Sequence, residues 1–233
     1  VMSIQVVAFD AYGTLFDVYS VAALLERHYP GHGSTLAAVW RDKQLEYTRL
    51  VSLSDPFTPT GSRFYRSFWD ITQLALRYAL AKQGLVNEQA TERALMDAYG
   101  QLQAFAENKA VLSELKALGL NTAILSNGSP EMLNSAVSHA GLAPWIDQVL
   151  SVDGLRQYKT MPVTYAMVTE AFSVEPESVL FVSGNGWDIM GANWFGFQTC
   201  WINRSGLPVE TLGPPPHHQG SDLTAVLEAI SQH

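Results

Sequence analysis

The sequence predicts an α/β fold: a Rossmann-like, doubly wound parallel sheet with a helical cap subdomain inserted after the first strand. Three observations predict it. The apolar run from Ile4 to Phe9 contains β-branched residues and does not alternate, the pattern of a strand buried on both faces. Four helical stretches follow with no strand between them. From Lys109 onward strands and helices alternate, which implies crossover connections and a parallel sheet covered on both sides.

Taken in order, the strand ends at Asp10, and Gly13 supplies the turn. Val18 to Tyr29 reads as a helix stopped by Pro30-Gly31-His32-Gly33. A second helix, capped by Ser34 or Thr35, runs to about Leu53. Ser54 to Gly61 is turn-rich, with two prolines. Ser67 to Lys82 and Asn87 to Tyr99 are further helices, the latter capped by Asn87 or Thr91. These helices define a cap over residues 17–98, leaving 1–16 and 99–233 as the core. In the core, helix Ala110 to Leu118 ends at Gly119, which suits a left-handed cap. Strand Asn121 to Leu125, helix Glu131 to Ala140 and a short strand around Gln148 to Val152 follow. Then come helix Pro162 to Phe172, strand Ser178 to Val182, helix Ile189 to Phe195 and strand Thr199 to Ile202. Leu212 to Gly220 reads as a loop and Leu223 to Gln232 as the last helix.

Composition limits the function. With 233 residues, 47% of them hydrophobic, the chain can build a full core. A net charge of −8 with no basic cluster argues against nucleic acid as a partner. The single cysteine, Cys200, excludes an internal disulfide; its apolar setting favours an inert buried thiol. No stretch is long and apolar enough to span a membrane, and no signal peptide is visible, so a cytoplasmic protein is expected. The adjacent His217 and His218 in the late loop are a weak metal signal.

In an open parallel sheet, ligands sit beyond the carboxyl ends of the strands. Four such ends here carry polar groups. They are Asp10, then Ser126 with Asn127, then Lys159 in the loop after the third strand, then Asn185 and Asp188. Any one alone is weak; a lone Asp after a strand is usually a cap. Together they assemble a carboxylate, a hydroxyl, an ammonium and a second carboxylate, which is what an aspartate nucleophile passing through an ester requires.

The order Asp10-Ala11-Tyr12-Gly13-Thr14, then Ser126, then Lys159, then an acidic loop resembles the haloacid dehalogenase superfamily over essentially the whole chain, which implies an HAD-like fold. Most members of that superfamily are Mg²⁺ phosphatases with a second Asp two residues after the nucleophile; here that position is Tyr12. The segments Trp40-Arg41-Asp42-Lys43-Gln44-Leu45-Glu46-Tyr47, Leu125-Ser126-Asn127-Gly128-Ser129-Pro130 and Cys200-Trp201-Ile202-Asn203-Arg204 are similar to its (S)-2-haloacid dehalogenases. The chain departs from that subfamily at Thr160, where proline is usual. It departs also at Gly184 and Gly186, expected to loosen the loop, and in an insertion over Ser54 to Arg66, expected to alter the substrate entrance.

The resemblance implies hydrolysis of short (S)-2-haloalkanoic acids, with water as co-substrate, no metal and no other cofactor. Asp10 is the implied nucleophile, Thr14 its hydrogen-bond partner and Lys159 its counter-ion. Arg41 and Asn127 would hold the halide. Ser126 and the N–H groups near Ala11 and Tyr12 would hold the carboxylate, and Phe68, Leu45 and Trp187 would line the site. Asn185 and Asp188 would position the water beside Ser183, with Tyr165 orienting Lys159 or Asp188. A phosphatase or phosphonatase with a depleted metal site is the alternative. The apolar cap stripes would serve equally a homodimer or a monomer.

Overall fold

The computed structural model describes residues 3–56 and 58–233. Phe57, in the expected turn-rich segment, and the first two residues of the terminus read for a signal peptide lie outside them. The sheet has six strands in the order β3-β2-β1-β4-β5-β6, every neighbouring pair parallel. The strands are β1 (Val6–Phe9), β2 (Asn121–Ser126), β3 (Gln148–Ser151), β4 (Val179–Ser183), β5 (Gln198–Ile202) and β6 (His218–Gly220). β1 and β4 are buried at every position, as expected of central strands covered on both faces. Between β1 and β2 lie α1 (Ala22–His28), α2 (Gly33–Ser54), α3 (Phe68–Lys82), α4 (Gln89–Tyr99) and α5 (Asn108–Ala117). The rest are α6 (Pro130–Ala140), α7 (Pro162–Phe172), α8 (Gly186–Phe195) and α9 (Thr224–Ser231).

The alternating elements form where expected, within a residue or two, except that α8 begins three residues before the expected Ile189. The expected helix at Val18 opens instead as a 3-10 turn, Val18–Val21, before α1. Neither Ser34 nor Thr35 caps α2. The Glu26 carboxylate accepts from the Gly31 and Gly33 N–H groups at 2.6 and 2.8 Å, so the cap comes from the preceding helix. A Cβ at Gly33 would lie 2.7 Å from the Ala22 carbonyl, which is why glycine stands there. Asn87 and Thr91 do not cap α4 either: its N-cap position is Glu88, and Asn87 donates to Glu92. By contrast, Ser67 caps α3 through its bond from the Asp70 N–H at 3.1 Å.

Two further differences matter. Part of the late loop is strand β6, beside β5 with Cys200 opposite His218. It is short and polar, so it carries no hydrophobic pattern to read. Its histidines serve the fold: the Thr199 N–H donates to His217 Nδ1 at 3.1 Å, and His218 meets His233. The Ser54–Arg66 segment packs on the loop before Lys159. The Ser62 N–H donates to the Arg156 carbonyl, and Tyr65 stacks on Tyr158 with ring centres 5.3 Å apart. Cys200 is buried, and burial pushes its thiol up to about 12, consistent with an inert group.

Candidate active site

Register brings the reactive groups to one edge. Phe9 lies opposite Ile124 and Val182, so Asp10, just beyond β1, emerges together with Ser126 and Ser183, the last residues of β2 and β4. Asp10 is only 5% exposed. Its Oδ2 accepts three neutral donors: Asn185 Nδ2 at 2.7 Å, Thr14 Oγ1 at 2.9 Å and Ser183 Oγ at 3.2 Å. Among the described residues its Oδ1 accepts Lys159 Nζ alone, at 3.1 Å. Two of those donors are polarised from behind. Thr14 Oγ1 accepts the Gly184 N–H at 2.9 Å, and Ser183 Oγ accepts the Asn185 N–H at 3.0 Å.

Lys159, with its side chain wholly buried, bridges Asp10 and Asp188, the latter at 2.9 Å. Burial opposes its charge, but the two carboxylates outweigh burial and hold the ammonium above its usual range. Asp188 is also fully enclosed. Burial raises its carboxyl to about 6, although Lys159 and the Tyr165 hydroxyl, donating at 2.7 Å, pull the other way. Lys159 faces two carboxylates, whereas Asp188 has that one cation against complete burial. Asp188 does not lie in a loop as the sequence suggested. It sits in the first turn of α8, which begins at Gly186, and Trp187 is helical with it.

Tyr165 therefore serves Asp188 and makes no bond to Lys159. Asn185 does more than face water: it donates to Asp10 and to the Tyr12 carbonyl at 2.9 Å. Asn127 Oδ1 accepts the Lys159 backbone N–H at 3.0 Å, so it holds the backbone that carries the lysine. Ser126 Oγ accepts the Gly128 N–H at 3.0 Å, and its own hydroxyl hydrogen has no acceptor among the described residues. The same holds for the N–H groups of Ala11 and Tyr12. Arg41, on α2, donates to the Tyr12 carbonyl and to Asn185 Oδ1, both at 3.2 Å. Phe68 packs on Tyr12 and Tyr158, at 5.6 and 6.3 Å between ring centres. The Trp187 ring lies under the Arg49 guanidinium at 5.5 Å, with its own N–H buried and without a partner among the described residues. Leu45, half-buried one turn beyond Arg41, stays outside the hydrogen-bonded cluster.

Gly184 is not slack in the loop. A Cβ there would run into the Gly13 carbonyl, so the two backbones meet only because residue 184 carries no side chain. Sequence reasoning missed Gln44, Thr72 and Tyr99, a buried polar group behind Arg41. Gln44 lies one helical turn from Arg41, and that spacing was the available signal.

A cavity of about 450 Å³ reaches Arg41 and Asn185 and is lined also by Gly13, Gly184, Asn203 and Arg204. A larger one, about 770 Å³, includes Asp97, Glu131 and Asp153 and none of the residues around Asp10. Its acidic lining repels an anion, so the smaller cavity is the better approach for one. A Mg²⁺ ion does not fit the cluster. Hard dications need several anionic oxygens; here Lys159 stands between the Asp10 and Asp188 carboxylates, and the other side chains bonded to Asp10, Thr14, Ser183 and Asn185, are neutral. Among the described residues no three His, Cys, Asp or Glu side chains converge.

A haloacid dehalogenase-like hydrolase family model matches residues 4–196. The (S)-2-haloacid dehalogenase of Pseudomonas sp. (strain YL) is 44% identical over 225 residues, 97% of this chain and 94% of that protein. The crystal structure of the L-2-haloacid dehalogenase RSc1362 superposes with a TM-score of 0.95 at 50% identity, covering 99% of this chain and 100% of that one. The L-2-haloacid dehalogenase from Xanthobacter autotrophicus with chloropropionic acid covalently bound superposes at 0.87 and 38% identity, covering 98% of each chain.

Proposed function

Because the chain belongs to the haloacid dehalogenase-like hydrolase family, we propose that it hydrolyses short (S)-2-haloalkanoic acids to (R)-2-hydroxyalkanoic acids and halide, through an ester on Asp10. The observation that carries this reading is the asymmetry of the Asp10 carboxylate: three neutral donors on Oδ2, one buried ammonium on Oδ1. Oδ1 keeps lone pairs for attack. It displaces the halide from behind, forming a C–O bond as the carbon–halogen bond breaks and inverting the carbon. The halide leaves with its electron pair and needs no proton, which suits a site where the superfamily's second Asp is Tyr12. That ring is buried among Phe16, Phe68 and Tyr99.

In the second step water attacks Cγ of the ester. The three donors on Oδ2 then face the developing oxyanion, so the same bonds serve both steps. Ionised Asp188 takes one proton from the water and returns it to the ester's alkyl oxygen as the Cγ–O bond breaks, so that oxygen leaves as the hydroxyl of the product. The water's second proton goes to solvent as Asp10 is regenerated as a carboxylate. Across the cycle one proton is released with the halide. Arg41 and Asn127 hold the halide; Ser126 and the Ala11 and Tyr12 N–H groups hold the substrate carboxylate. Residues 17–98 act as a cap that excludes water, and the enzyme works without metal in the cytoplasm. The relatives' names, and the covalently bound chloropropionic acid of the Xanthobacter structure, support the substrate class.

The test is single turnover of (S)-2-chloropropionate in ¹⁸O-labelled water with enzyme in excess. Label appears in the peptide containing Asp10 and not in the product's new hydroxyl, and Asp10→Asn releases no chloride. Label in the product with none in the peptide refutes the ester.

A further inference from the structure

Gln44 stands one turn beyond Arg41 on α2 and has no exposed surface; Thr72 is equally enclosed. Gln44 Oε1 accepts from Arg41 Nη1 at 2.8 Å. Its Nε2 donates to Thr72 Oγ1 at 2.8 Å and to the Tyr99 hydroxyl at 2.9 Å. Donor counting fixes which way the amide points. The one hydroxyl hydrogen of Thr72 is committed to the Phe68 carbonyl at 2.6 Å. Towards Gln44, Thr72 can therefore only accept, so it faces the NH₂ group and the amide oxygen faces the guanidinium.

The acceptors around Arg41 are thus Gln44 Oε1, the Tyr12 carbonyl and Asn185 Oδ1, all uncharged. Among the described residues Arg41 forms no ion pair, whereas Arg77 and Arg204 each take a glutamate. A glutamate at position 44 would have the same shape and hold the guanidinium at least as firmly, but it would cancel the charge. We infer that Gln44 is a positioning residue that fixes Arg41 through a neutral acceptor, so that its full positive charge remains for the departing halide. The inference rests on the reading of Arg41 as a halide-holding group.

The experiment compares full-length Gln44→Glu, Gln44→Met, Thr72→Val and Arg41→Ala by kcat, KM and inhibition by added chloride and bromide, with thermal melts to verify folding. In Gln44→Glu, halide inhibition weakens by about tenfold or more, since an ion pair replaces a charge–dipole contact in a partly desolvated site. In Gln44→Met the charge survives but its anchor is lost. There kcat falls by roughly tenfold while halide inhibition stays within about threefold of wild type. Thr72→Val releases the amide without changing Gln44 and lowers kcat by about threefold, which keeps the inference testable if the Gln44 variants do not fold. Wild-type kinetics in Thr72→Val, or equal halide inhibition in the Glu and Met variants, overturn the inference. Unchanged halide inhibition in Arg41→Ala instead overturns the reading of Arg41 on which it rests.

Discussion

Replacing Lys159 with methionine keeps the buried volume and removes one charge. Nζ lies 3.1 Å from Asp10 and 2.9 Å from Asp188, with no exposed side-chain surface. At an effective dielectric of ~20, charges at that separation interact by about 5 kcal/mol. Two enclosed carboxylates left without the ammonium cannot both stay ionised, and one takes up a proton. Asp188 is the candidate, since burial already holds it at about 6. Loss of a neighbouring cation raises a carboxyl by about 1–3 units. At pH 7 the ionised fraction of Asp188 therefore drops from about nine-tenths to between about a half and a hundredth. Ester hydrolysis loses its proton acceptor to that extent, and the Asp10 ester accumulates. The assay is chloride release across pH 6–10, with intact-protein mass spectrometry of the ester. The expected result is a kcat loss on the order of 10²-fold at pH 7, partly recovered near pH 9, with the ester mass visible at steady state. A kcat within threefold of wild type, or a loss that alkali does not relieve, refutes the reasoning.

Four other outcomes are expected. Because Asp188 must be ionised to accept a proton, activity falls as pH drops through about 6. Tyr165→Phe removes a donor to the charged form and moves that acid limb up by about one unit, as a pH–rate profile would reveal. Gly184→Ala drives a methyl into the Gly13 carbonyl and pulls the Gly184 N–H from Thr14. It lowers kcat by on the order of 10²-fold and stability by about 1–3 kcal/mol, measured by halide release and urea unfolding. Chelation with EDTA leaves halide release unchanged; a loss restored by Mg²⁺ would contradict the assignment of Lys159 to the space a dication would take.

By itself, the chain determined where the strands end and which chemistry-bearing residues stand there. Asp10 and Ser126 directly end a short apolar run, Lys159 and Asp188 lie in the segments after two others, and that pattern is local. The crossover rhythm then requires them to share one edge. What it could not give was anything set by distant partners. Glu26 caps α2 from another helix, and Ser54–Arg66 packs on a loop about a hundred residues away. Gly184 looked like freedom and is a close approach of two backbones. Asp188 became helical because α8 begins at a glycine that local pattern reads as loop. The division of labour on Asp10 was also hidden, since which oxygen receives three donors and which receives the ammonium depends on three strand ends meeting at about 3 Å. Sequence pattern records burial and periodicity along the chain. Hydrogen-bond direction and the sharing of charge arise only when segments far apart in the chain are brought into contact.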